Sequence, residues 1–217
     1  NVADGRQFAP MLTPEKKVSV EDAKAMLRNH FDDTEHDPYT NGLNGNEPWR
    51  PISVFRTYES HVMQVRPELP QEIGEVTYVG LGMADLTAFV PYYSGLKAYP
   101  QHYAIGTDKA DNDSIYWKYR KLQTLVMTDY PQFAPIVKKA YQEWEAKTAL
   151  EQKEMEANYL SMSKKNKAAA DNMLSEFNLR VMADAEQLTE NLTNQLFTLK
   201  TKNIQDGIFF ANQSKKD

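Results

Sequence analysis

The chain of 217 residues contains no cysteine. That absence excludes a disulfide framework, a zinc site built on thiolates and a cysteine nucleophile within these residues. Also missing is any run of about 18 apolar residues, so no transmembrane helix is expected. The opening residues, NVADGRQFAP, lack the basic-then-apolar pattern of a signal peptide, and the composition reads as cytoplasmic. They carry no start methionine, as a processed chain, an engineered boundary or an internal fragment would. Basic excess is absent too: 25 Lys and Arg stand against 30 Asp and Glu, a net charge of −5, with a pI near 5.5. A nucleic-acid binder would show a basic patch or domain.

Chemistry-bearing motifs are equally sparse. The four histidines, His30, His36, His61 and His102, show no HExxH or other close ligand spacing. His30 reads as a core histidine on the apolar side of a helix. Asp108, Asp111 and Asp113 lack the glycine and the terminal glutamate of a calcium loop and read as caps. GLGMAD, residues 80–85, has GxG after a strand but no third glycine, and reads as a tight turn. Ser94 in YSG is not in a GxSxG elbow. No metal and no cofactor is expected.

What is present is enough apolar residue, 41%, for a sizeable core and one domain or one and a half. Ser19 and Asp22 make a capping-box start for a helix that should end near Asp33 or Thr34. Residues 35–48 form a loop rich in Asn, Gly and Pro. Strands are predicted near 51–57 and 60–66 and at Glu75–Leu81, close enough in sequence for an antiparallel meander. The tract from Asp85 to Asp108 is dense in aromatics. Phe89, Tyr92, Tyr93, Tyr99 and Tyr103 either line a pocket or anchor a long loop by ring packing. From Asp111 the chain is helical: one helix stopping before Pro131, a second from about residue 132, and a break near 161–166. A final stripe follows at Val181, Ala185, Leu188, Leu192, Leu196 and Leu199. Residues 1–110 and 111–217 thus divide into a mixed part and a helical part, an α+β class.

The stretch WRPISVFRTYESHVMQVRPELP, residues 49–70, is extended in character yet loaded with reactive side chains. On a continuous strand Glu59 and His61 share a face, and Arg56 lies on the other. A glutamate can orient a histidine, and an arginine can hold a carboxylate with two parallel bonds. The same residues serve equally as a cross-strand salt bridge.

RPISVFRTYESHVMQVRPELPQEIGEVTYVGLGMADLTAFVPYYSG, with the preceding KKVSVEDAKAMLRNHFDDTEHDPY and FAPML, resembles the bacterial C69-type dipeptidases, the dipeptidase A group of lactic acid bacteria. The likeness is strong over about residues 6–105. It implies part of a four-layer αββα N-terminal nucleophile hydrolase fold, with an antiparallel sheet followed by long C-terminal helices. It also implies a mature N-terminal cysteine that attacks the peptide bond while its own α-amine takes the proton. With no cysteine and with Asn1 at its head, the chain departs from that pattern. The resemblance then implies the C-terminal portion of a dipeptidase, inactive alone, whose N-terminal partner segment supplies the nucleophile. Arg6 or Arg56 would lend an arginine to the assembled site, the family's later arginine preceding a helix as Arg6 does. Glu59 and His61 would be supporting groups, and Arg56 and Arg66 would bind the dipeptide carboxylate. An amidohydrolase of the same fold acting on acyl amides, and a non-enzymatic helical interaction module, are the alternatives. An incomplete sheet also leads us to expect a homo-oligomer.

Overall fold

The computed structural model describes residue 11 and residues 13–40 and 50–209. Arg6, part of the loop expected over 35–48, and the polar tail after Phe210 lie outside them.

Helix α1, Val20–Arg28, starts as its sequence dictates. The Ser19 hydroxyl accepts from the Asp22 amide at 3.0 Å, and the Asp22 carboxylate accepts from the Ser19 amide at 2.9 Å. The reciprocal pair satisfies amides that a helix start otherwise leaves without partners. Bonds from the Ser19 amide and hydroxyl hold the Asp22 carboxyl down at about 2. The helix stops short of Asp33 because Phe31, at φ 66°, and Asp33, at φ 59°, occupy the left-handed region, which an α-helix does not tolerate. His30 is therefore not on the helix. It follows α1 and turns inward, buried to 1% exposure.

Three antiparallel strands follow in sequential order: β1 Glu59–Val65, β2 Glu75–Leu81 and β3 Val90–Tyr93. A one-turn helix, α2, Gln71–Gly74, joins the first two. The meander is as expected and β2 has the expected bounds, but its membership differs. Residues 51–57 are turns and bends, not a strand. Pro51 has no amide to donate, the Thr57 amide closes a turn on the Val54 carbonyl at 3.0 Å, and the Ser53 amide reaches back to the Asn29 carbonyl at 2.9 Å.

The third strand instead comes from the aromatic tract. A proline in a strand belongs at an edge, and Pro91 lies in β3, which pairs only with β2 among the described strands. The Asn178 side chain completes that edge: its Oδ1 accepts from the Tyr93 amide at 2.9 Å and its Nδ2 donates to the Pro91 carbonyl at 2.8 Å. Gly82 makes the tight turn after β2 with φ 76°. An added Cβ there would lie 2.2 Å from Gln123 Oε1, so both backbone and space require glycine.

Among the described residues three further helices follow: α3 Ile115–Met127, α4 Tyr130–Ser163 and α5 Lys167–Gln205. Asp111 accepts from the Asp113 and Ser114 amides at 2.9 and 2.7 Å and so prepares the start of α3. The break between α4 and α5 falls at residues 164–166, where Asn166 caps α5 by accepting from the Ala169 amide at 3.1 Å.

Register places Val62, Tyr78, Gln64, Val76 and Tyr93 on one sheet face. α4 meets that face, Gln152 and Glu156 both bonding the Tyr93 hydroxyl, and α5 adds Phe177 against the Tyr93 ring. One continuous core results, running from Ile73 and Val76 through Leu122, Phe133 and Val137 to Leu192 and Leu196. Within the aromatic tract Phe89 and Tyr93 are core residues, Tyr99 is exposed, and the Tyr103 hydroxyl donates to the Met182 carbonyl at 3.2 Å. Tyr93 packs its ring against Phe177 and Tyr103 against His102, while Phe89 also borders a small cavity beside Glu145 and Gln152. The other face of β1 is open, with Met63 70% and Val65 69% exposed. No helix among the described residues is long and apolar enough to cross a membrane.

Candidate functional site

The turn that replaces the expected first strand, residues 53–57, is fixed from two directions. From below, the Tyr39 hydroxyl donates to the Ser53 carbonyl at 3.1 Å, and the Ser53 hydroxyl accepts from the Asp85 amide at 3.0 Å. From the side, the Arg120 guanidinium of α3 donates to the Phe55 carbonyl and, at 2.7 Å, to the Thr57 carbonyl. Carbonyls that would serve a neighbouring strand are thus taken by side chains, which accounts for the missing strand. Arg56 sits at the tip of this turn and is exposed.

Beneath the turn lies a buried ionic network. Asp85, 6% exposed, takes Lys138 Nζ at 2.8 Å, His30 Nε2 at 3.3 Å and the Tyr130 hydroxyl. His30 Nδ1 meets Asp37 Oδ1 at 3.0 Å and its Nε2 meets Asp32 Oδ1 at 2.9 Å. Asp37 in turn accepts from the Tyr39 amide and the Thr40 hydroxyl. Burial opposes the charged form of His30, but the Asp85 hydrogen bond and the Asp85 and Asp32 charges outweigh it and raise its pKa. Burial likewise opposes ionisation of Asp85, and the His30 bond together with Lys138 and Tyr130 holds its pKa below the ordinary value. Burial and Asp85 push the Tyr130 hydroxyl up, so it remains a donor. The ligand atoms of His30, Asp32 and Asp85 lie within 4.8 Å of one another. Lys138, 2.8 Å from Asp85 and 3.5 Å from Asp32, supplies the positive charge there, so the cluster is complete as an ion network. Two cavities of about 260 Å³ flank it, sharing Asp32 and Lys138.

The residues singled out from sequence are not brought into one constellation. Glu59 and His61 do meet, His61 Nδ1 lying 2.6 Å from Glu59 Oε1, but each side chain is nearly half exposed on the open face of β1. Arg66 lies at the opposite end of β1. Its two terminal nitrogens grip Glu156 at 2.8 and 2.7 Å, and one also donates to the Ile73 carbonyl at 2.5 Å. The Glu156 bond, against the cost of burial, raises the Arg66 pKa. Arg66 borders a groove of about 650 Å³ between β1, the start of α1 and α4. Sequence reading overlooked Asp85, Tyr130, Lys138 and Arg120. Positions 30, 85, 130 and 138 share no local spacing; the sequence marks His30 as a core histidine and Asp85 as the end of the GLGMAD turn, and nothing in it joins the two.

Residues 2–143 match the family model described as Peptidase family C69. The probable dipeptidase of Salmonella dublin is 53% identical over 108 residues, half of this chain and 24% of the relative. The probable dipeptidase A of Streptococcus pyogenes serotype M18 is 32% identical over 135 residues, 59% of this chain and 28% of the relative. The probable dipeptidase of Latilactobacillus sakei is 29% identical over 192 residues, 86% of this chain and 39% of the relative. The chain therefore spans well under half the length of these curated relatives. With the family model covering the helix, sheet and buried network alike, this chain belongs to peptidase family C69.

Proposed function

We propose that this chain is the C-terminal portion of a cytoplasmic, cysteine-type dipeptidase with the N-terminal nucleophile hydrolase fold, and that its substrate is a dipeptide. The family match over residues 2–143 carries the reading, and the names of its relatives supply the substrate class. The nucleophile would lie on chain outside these residues: its thiol attacks the peptide carbonyl as the α-amine takes the proton, the proton returns to the leaving amine as the C–N bond breaks, and water then hydrolyses the thioester to the free acid and the thiol. Residues 1–110 contribute to the αββα layers and residues 111–217 brace them. The open face of β1, where Met63 and Val65 stand exposed, is where the missing layer packs.

Within this arrangement Arg56 binds the carboxylate of the dipeptide. It is exposed, cationic and carried on a turn whose backbone is fixed by buried side chains, as a preorganised binding group requires. Arg66 has both terminal nitrogens engaged by Glu156 and acts at most from the groove edge, while Glu59 and His61 are supporting groups on the adjoining strand. In the full-length enzyme Arg56→Ala should lower kcat/KM by about tenfold or more, the equivalent of about 1.4 kcal/mol of charge-assisted bonding. Arg6→Ala tests the other arginine, and wild-type rates for both variants would dispose of the assignment. Parallel assays on dipeptides and acyl amides check the substrate class.

The exposed sheet face also leads to self-association of this chain when its other part is absent. Light scattering should report a mass above 24.9 kDa that rises with concentration, and a clean monomer would refute the idea.

A further inference from the structure

Arg120 is only 7% exposed, and no carboxylate among the described residues pairs with it. A buried cation of this kind is costly unless its donors are all used. All three nitrogens are used. Nη1 donates to the Phe55 carbonyl and to Gln123 Oε1 at 3.3 Å, Nη2 to the Thr57 carbonyl at 2.7 Å and the Tyr116 hydroxyl at 3.0 Å, and Nε to the same hydroxyl at 3.1 Å. The guanidinium also lies 4.6 Å from the centre of the Phe55 ring and 5.4 Å from that of Tyr116. A planar five-donor group suits this task, because its fork can seize two backbone carbonyls at once where an ammonium cannot hold both in fixed relation.

The two carbonyls belong to the residues on either side of Arg56. The Phe55 carbonyl is part of the peptide group that precedes Arg56, the one that follows it is held by the Thr57 amide on the Val54 carbonyl at 3.0 Å, and the Thr57 carbonyl anchors the next peptide along, so the clamp and the turn together set the direction in which the Arg56 side chain leaves. Gln123, one turn further along α3, donates to the Leu81 carbonyl at 2.8 Å and accepts from the Met83 amide at 3.1 Å. One helix face therefore ties the turn before β1 to the turn after β2, and the sheet sets the frame in which Arg56 is held.

We propose that Arg120 is a positioning residue for Arg56, a role that rests on Arg56 being the carboxylate-binding arginine of the dipeptidase. Misplacing a binding group by about 1 Å can cost on the order of a hundredfold in rate, so the clamp acts on catalysis without touching substrate.

The test is a double-mutant cycle in the full-length enzyme with dipeptide substrate, using Arg120→Met, Arg120→Lys and Arg56→Ala. Arg120→Met should lower kcat/KM at least tenfold, dividing the loss between kcat and KM as Arg56→Ala does. Arg120→Lys, which keeps the charge and folds more readily, should fall between Arg120→Met and wild type. In the Arg56→Ala background either Arg120 change should cost less than about twofold, because the group it positions is gone. Fully additive losses, or wild-type kcat/KM for both Arg120 variants while Arg56→Ala is impaired, would overturn the proposal. Wild-type kinetics for Arg56→Ala would instead remove the assignment of Arg56, and the positioning role with it.

Discussion

Chemical denaturation of Asp85→Ala should show a stability loss of about 3–5 kcal/mol, the scale expected when one partner is taken from a buried ion network and the other charges stay behind. Asp85 is the junction of that network. Its removal strips Lys138 of its 2.8 Å partner, takes the buried carboxylate from His30 Nε2 and leaves there the half-exposed Asp32 at 2.9 Å, and leaves the Tyr130 hydroxyl with only the imidazole at 3.0 Å. Lys138 then has His30 Nε2 at 3.2 Å and, as its carboxylate, Asp32 at 3.5 Å and 43% exposed, and an exposed carboxylate is a weak substitute.

The variant has a second signature in pH. His30 has a folded pKa above its ordinary 6.5, so its contribution is fully present below about 6.5 and is lost as pH rises through the folded value. Asp85 is the largest source of that rise. Wild type should therefore lose stability as pH climbs past 6.5, and Asp85→Ala should show a flatter profile across the same window. Equal slopes for the two proteins would contradict this account of the network.

Glu145→Ala should be comparably damaging, at about 3 kcal/mol or more. Glu145 lies on α4 and is 8% exposed. It accepts from the Phe89 amide at 2.8 Å, pairs with Arg28 at 2.5 Å and lies 3.9 Å from Lys24, itself only 4% exposed. One carboxylate thus joins the end of α1, the approach to β3 and the middle of α4. Without it, Arg28 keeps the Ala84 and Thr87 carbonyls, at 3.4 and 3.2 Å, and Lys24 keeps Glu21 at 2.9 Å, but the Phe89 amide is left buried without an acceptor. Glu145→Gln separates the parts. It retains an acceptor for Phe89, worth about 1 kcal/mol, and loses the charge. Urea titrations of the two variants should differ by about that amount, and equal losses would place the whole effect in the ion pair.

Local chemistry was legible from sequence, and long-range chemistry was not. The Ser19 and Asp22 box, the bounds of β2, the Gly82 turn and the break before Asn166 each depend on residues a few positions apart. The end of α1 was misjudged because apolar spacing continues through Phe31 while the backbone there is already left-handed. Residues 51–57 carry strand-forming side chains, yet Tyr39 and Arg120, 14 and more than 60 positions away, claim their carbonyls. β3 was hidden by Pro91, since the amide that completes its edge comes from Asn178. Arg56, which we propose binds the substrate carboxylate, could be named from sequence. The groups that hold its turn could not, since helix, loop and turn meet there only after folding.

Asn178 also gives the sheet a direction of growth. By occupying both the amide of Tyr93 and the carbonyl of Pro91, it leaves β3 no free ladder there, and among the described residues no strand lies beyond β1. Any further strand would have to join by zippering onto β1, so α5 acts as a stop that lets the layer extend from one end alone.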